Sequence, residues 1–250
     1  MDKILCNDAD PLNSEEAAGV SSRRSFIKLS SAAVLTAFAF GALNPETLSA
    51  KMAFAGLPID DDKAKSVDLG KGDTGILNYA YALEQLEAAF YSQVISTPYG
   101  RMSSAEMRIL TDIRDHEIAH RELFKTALGK KAIPGLQVNF TSINFGSRDS
   151  VLGTAKTFED LGVSAYNGAG QLLKDVNFLL LAGKIVSVEA RHAATIRDLL
   201  SPMSASFAGD DVTDPATGLD KAMTPAQVLS AAAAFIKTPV TAKKLPTSRS

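Results

Sequence analysis

Cysteine is the scarcest reactive residue in this chain: there is one in 250 residues, Cys6. It lies in a segment read below as a removable leader, so the mature protein has no thiol, which excludes disulfides, a cysteine zinc site and a cysteine nucleophile. A surplus of one charge is missing too. Against 26 Lys and Arg stand 28 Asp and Glu, for a net charge of −2 and a pI near 6.0, so no basic surface is on offer and nucleic acid is excluded as a partner. Proline is absent between 99 and 133 and between 135 and 201, which leaves two long stretches free to be helical. The acidic stretch around Asp210, Asp211 and Asp214 lacks the spacing of a calcium-binding EF-hand and reads as a surface loop. With 46% hydrophobic and 22% charged residues, the chain can bury one sizeable core. Whatever chemistry it does must use oxygen and imidazole.

Residues 1–55 read as an export signal. The string Ser22-Arg23-Arg24-Ser25-Phe26-Ile27-Lys28 precedes an apolar run from Leu29 to Leu43 and resembles the twin-arginine signal of bacteria. That run is about 15 residues, short of the ~20 that span a bilayer. Cleavage is expected after Ala50 or after Ala55. The resemblance implies the twin-arginine export machinery as a partner and a periplasmic or otherwise extracytoplasmic location. Residues 56–72 read as a polar, acidic lead-in, 73–200 as the folded domain, and 201–250 as a loop, a short C-terminal helix and a tail.

Four long helices are expected. The first is capped by Asp73 or Thr74 and stopped near Ser96 by Pro98 and Gly100; the second is capped by Ser103 or Ser104 and ended by Gly129. A connection of roughly 20 residues follows, long for neighbouring antiparallel helices. It is expected to cross from one end of a bundle to the other, with Val138, Phe140, Ile143 and Phe145 packed along the outside. The third helix runs from Ser150 to Leu173, with four glycines that permit close helix contact, and the fourth reaches Leu200 before Pro202. A short Ala-rich helix starts at Thr224-Pro225.

Two of these helices carry acidic and basic groups where a bundle wants apolar ones. In the fourth, the seam of alternating fours and threes is Phe178, Ala182, Ile185, Glu189, His192, Ile196, Leu199; in the second it is Leu110, Ile113, Glu117, His120, Phe124, Ala127. An ionised carboxylate in a dry core costs several kcal/mol unless it is paired or bound to a cation. Something positive must therefore sit between two inward Glu-x-x-His pairs. His116, about 100° round the helix from Glu117, reads as partly exposed or as a neighbour of the pair; Asp115 and Asp160 read as helix-surface charges. The first and third helices repeat a second signal: Glu84 is followed seven residues on by Tyr91, and Glu159 seven residues on by Tyr166. Four carboxylates and two imidazoles sum to neutral with two divalent cations.

The strings LNYAYALEQLEAAFY (77–91), RDHEIAHRELF (114–124), FEDLGVSAYNGA (158–169) and VSVEARHAA (186–194) resemble exported bacterial ferritin-like domain proteins, which are related to plant desiccation-related proteins. The resemblance implies an all-α fold: a ferritin-like four-helix bundle with a long crossover between helices 2 and 3 and a short C-terminal helix. Carried over position by position, it implies Glu84, Glu117, His120, Glu159, Glu189 and His192 as metal ligands, with Glu117 and either Glu159 or Glu189 bridging. Tyr91, Tyr166 and Glu87 then stand beside the metals; Glu87 lies one turn from Glu84, and helix rotation decides between the two. Carboxylate and imidazole without thiolate suit two iron ions, or alternatively manganese. The expected function is iron binding with ferroxidase-like or peroxide-consuming activity, dioxygen or peroxide being the co-substrate and oligomers being compatible with the fold. The alternative is a non-enzymatic envelope or desiccation-stress protein whose metal is structural.

Overall fold

The computed structural model describes residues 66–248. The twin-arginine string, the apolar run and both cleavage positions lie outside the described residues. The elements are β1 (Val67–Asp68), α1 (Gly72–Ser96), α2 (Ser104–Leu128), α3 (Arg148–Gly170), α4 (Val176–Leu200), α5 (Pro225–Ala232) and β2 (Val240–Thr241). The fold is all-α: α1 packs chiefly on α2, and α3 on α4, while α1 and α3 meet across the bundle.

Local chemistry accounts for most boundaries. Ser103 and Glu106 form a reciprocal capping box on α2, and Gly129, at φ 53°, ends that helix. Ser147 and Asp175 cap α3 and α4, and Thr224 with Gln227 caps α5, with Pro225 in the first turn. At α1 the expected cap is wrong. Lys71 is the N-cap, and no side chain caps it. Asp73 sits inside the first turn and instead accepts the backbone N–H groups of Lys174 and Asp175 at 3.0 and 2.8 Å, which ties the α3–α4 turn to the start of α1. The seam of α2 also shifts at its end, where Leu128 rather than Ala127 is buried.

The long connection between α2 and α3 does cover the bundle. Phe140 and Phe145 meet Phe90 of α1 at ring-centroid distances of 6.0 Å, and Ile143 is buried. Two buried amides of α1 fasten this cover. Asn78 donates to the carbonyls of Leu69 and Lys131 and accepts from the N–H of Ile133; Gln85 accepts from Leu136 N–H and donates to the Pro134 carbonyl. These bonds satisfy backbone groups that would otherwise be buried unpaired. As a result α1 is buried without a break from Gly75 to Ala88, where an ordinary surface helix shows one apolar stripe.

Both ends of the domain are more ordered than their polar text suggests. Val67 and Asp68 pair in parallel with Val240 and Thr241, Leu69 is fully buried, and Lys244 bridges to Asp68 at 2.5 Å. The acidic loop after α4 is anchored as well. Arg197, 1% exposed, makes paired bonds to Asp160 at 2.7 and 2.8 Å and to Asp211 at 3.0 and 2.8 Å. Asp160 and Asp211, read from sequence as a helix-surface charge and a loop charge, are thus partners of a buried guanidinium, which demands such pairing.

Candidate metal centre

The four long helices deliver one acidic or Glu-x-x-His unit each to the middle of the bundle. Glu84, Glu117, Glu159 and Glu189 are 0% exposed, and His192 is 5% exposed; the side chain of His120 keeps 13%. Their donor atoms form two groups, Glu84, Glu117, His120 and Glu189, and Glu117, Glu159, Glu189 and His192, each with one atom per residue and all within 4.8 Å of one another. Glu117 and Glu189 belong to both groups, so of the two expected bridging pairs the geometry favours the one with Glu189.

The two halves correspond contact for contact. His120 Nδ1 stands 2.9 Å from Glu189 Oε1, 3.5 Å from Glu84 Oε2 and 3.6 Å from Glu117 Oε2. His192 Nδ1 stands 2.8 Å from Glu117 Oε1, 3.4 Å from Glu159 Oε2 and 3.5 Å from Glu189 Oε2. Each shared carboxylate therefore turns one oxygen to each half. Each terminal carboxylate divides its oxygens differently: Tyr91 of α1 donates to Glu159 Oε1 at 2.5 Å, Tyr166 of α3 donates to Glu84 Oε1, and the Oε2 atoms face the imidazoles. The tyrosines thus cross, each orienting the glutamate of the other half-site, which their shared spacing of seven could not reveal.

Glu84 Oε2, both oxygens of Glu117 and Glu189, Glu159 Oε2 and the Nδ1 atoms of both histidines are buried without a well-aligned hydrogen bond, although several approach one another closely. A cluster of buried lone pairs aimed at common points is what cation ligation requires, and few native cores tolerate it otherwise. The donor set therefore fits a pair of metal ions. Glu87 is buried but belongs to neither group. Its Oε1 faces Gly162 of α3, where a Cβ would approach to 3.2 Å; the glycine leaves room for a further carboxylate beside the centre.

Electrostatics carry the same signature. Burial, then repulsion from Glu189, pushes the Glu117 carboxyl up to about 8. Burial pushes Glu159 up to about 7 against the pull of His192. Burial and the surrounding glutamates, Glu117 first, raise Glu87 well above the usual range. Glu189 goes the other way, to about 2: burial opposes ionisation, but hydrogen-bonding contacts with His120 and His192 outweigh it. Both imidazoles are raised well above the ordinary histidine value; burial disfavours their charge, and the carboxylates, Glu84 for His120 and Glu159 for His192, overcome it. Protons can therefore occupy the places that cations would take, and ligation would displace them. Tyr91 and Tyr166 are raised far above 10, by burial first and then by their glutamate partners, so both remain donors.

Sequence reasoning left His116 between two roles. It is half-buried, with its ring nearly parallel to that of His192 (interplanar angle 7°, centroids 5.1 Å apart), and the two rings meet edge to edge, His116 Nδ1 lying 2.9 Å from His192 Nε2.

No curated protein matches this chain. Residues 72–202 match the family described as the ferritin-like domain, a span that begins with α1, ends just past α4 and contains every residue of the cluster. The chain belongs to the ferritin-like domain family.

Proposed function

We propose that this protein is an exported dimetal-carboxylate protein that binds iron, with manganese as the alternative, and uses the pair to oxidise Fe(II) or to consume peroxide. The observation that carries this reading is the division of oxygens: Glu117 and Glu189 each offer one to either half, and Glu84 and Glu159 each turn one toward the imidazole of their own half while a tyrosine holds the other. Glu84 and His120 would hold one ion, Glu159 and His192 the other, and Glu117 with Glu189 both. Bound iron would supply the redox chemistry, one electron per ion to dioxygen or peroxide. The chain's own part is to fix ligand geometry and exclude water. Phe124 stacks against Tyr166, and Phe158 meets Phe90 edge to face, which keeps the carboxylate cluster in an apolar shell. Carboxylates that face both ions favour the state of higher charge. Export rests on the resemblance of residues 22–28 to a twin-arginine signal; that route carries folded proteins, which suits a domain loaded with metal before export.

The test combines binding with turnover. Protein freed of metal should melt higher in Fe(II) or Mn(II), by roughly 2.7 kcal/mol of added stability at about 100 times the dissociation constant. Glu189→Ala and His192→Ala should lose most of that gain. Added Fe(II) in air should give an oxidised-iron absorption band by stopped flow. An unchanged wild-type melting temperature, or an equal rise in both variants, overturns the site. Binding without turnover leaves the non-enzymatic envelope or stress protein.

A further inference from the structure

We propose that the two halves of the centre are inequivalent, because His116 positions His192 and no hydrogen-bonding side chain stands in the matching place behind His120. The ion position on Glu159 and His192 then fills first and holds its ion more tightly than the position on Glu84 and His120. This inference rests on the dimetal reading above and extends it to the order of loading.

The argument starts from the tautomer. His192 turns Nδ1 to Glu117, Glu159 and Glu189, so to ligate through Nδ1 the neutral ring must carry its proton on Nε2. That N–H needs an acceptor. His116 Nδ1 lies 2.9 Å from it, and a neutral His116 with its own proton on Nε2 supplies the lone pair. The near-coplanar rings line this N–H up with the acceptor, and the bond limits rotation of the His192 side chain. A partner behind a ligating imidazole fixes both tautomer and orientation, and its loss typically weakens metal binding about 10- to 100-fold.

Among the described residues, the other half has no such partner. His116 directly precedes Glu117 in the α2 unit HEIAH; the α4 unit is VEARH, with Val188 directly before Glu189. The correspondence of contacts that pairs His120 with His192 and Glu117 with Glu189 pairs position 116 with position 188. At the place equivalent to His116, the chain therefore has a valine, which can accept no hydrogen bond. All the polar contacts described for His120 run through Nδ1, and its side chain keeps 13% exposure against 5% for His192. Of two nearly symmetric positions, one is both oriented and drier.

Mn(II), which is stable in air, is the probe. Calorimetric titration of metal-free protein should resolve two binding phases, and crystals grown with one equivalent should show manganese anomalous density beside His192. His116→Leu should weaken the tighter phase by about tenfold or more while leaving the weaker one in place, whereas His116→Gln, which keeps a neutral acceptor, should restore part of the loss. Val188→His should tighten the weaker phase. Density shared equally between the positions, or a tighter phase unmoved in His116→Leu, overturns the inference and leaves the dimetal reading standing. A wild-type protein that takes up no Mn(II) or Fe(II) overturns both.

Discussion

At the scale of single residues, the protons held in the metal-free centre set a pH dependence whose sign is fixed. Glu117 and Glu159 have folded-state pKa values of about 8 and 7, above the 4.5 of a free carboxyl. The folded protein therefore binds more protons than the unfolded chain over this window, and its stability rises as pH falls through 8 and then 7. His120 and His192, also raised, have the same sign. The lowered Glu189 acts oppositely, but only as pH falls from 4.5 toward about 2. Metal-free protein should thus melt higher at pH 6 than at pH 8.5. The gain from Mn(II) should shrink as pH falls across the same interval, affinity dropping by about tenfold per pH unit for each proton displaced. Differential scanning calorimetry of both forms across pH checks this; parallel curves would contradict it. Glu117, His120, Glu189 and His192 were legible in the sequence because a heptad-like seam fixes which way a side chain points. Glu84 against Glu87 was not, since one turn of helix separates them and α1 is buried on every side. The contact of His116 with His192 was hidden too, because it depends on how α2 and α4 face each other.

At the scale of elements, two glycines of α3 separate helix propensity from packing. A Cβ at Gly168 would meet the Met223 carbonyl oxygen at 1.8 Å, where the chain after the loop donates Met223 N–H to Ser164; at Gly153 it would meet nothing within 4 Å. Gly153→Ala should stabilise by up to about 1 kcal/mol. Gly168→Ala should destabilise by about 1–2 kcal/mol despite the same gain in propensity, because backbone must shift. Thermal melts of the two variants should move in opposite directions. Helix glycines were expected to allow close helix contact, whereas the close approach at Gly168 is to a loop. The sequence revealed the helices to within a few residues, because caps and prolines are local. It did not reveal that Asp73 leaves the cap of α1 for the α3–α4 turn, 101 residues on, or the anchoring of Asp211, because Arg197 reaches it only once the loop folds back on α4.

At the scale of the whole molecule, the export reading has its own test: changing Arg23 and Arg24 to Lys should retain the protein in the cytoplasm on cell fractionation, and normal export of that variant contradicts the twin-arginine assignment. Loop 201–223 is held to the bundle at Arg197, and the two ends of the domain are held to each other. That last feature bears on the order of events during synthesis. The α1–α2 and α3–α4 hairpins join neighbours in the chain and can form early, while the strand pair joins Val67 to Val240 and must close a very long loop. Val67 and Leu69, among the first described residues to leave the ribosome, have to wait for nearly the last ones before their N–H groups meet the carbonyls of Pro239 and Thr241. A nascent chain stalled short of Val240 keeps that end open, so the strand pair marks a finished domain, and a route that accepts only folded cargo would meet it closed.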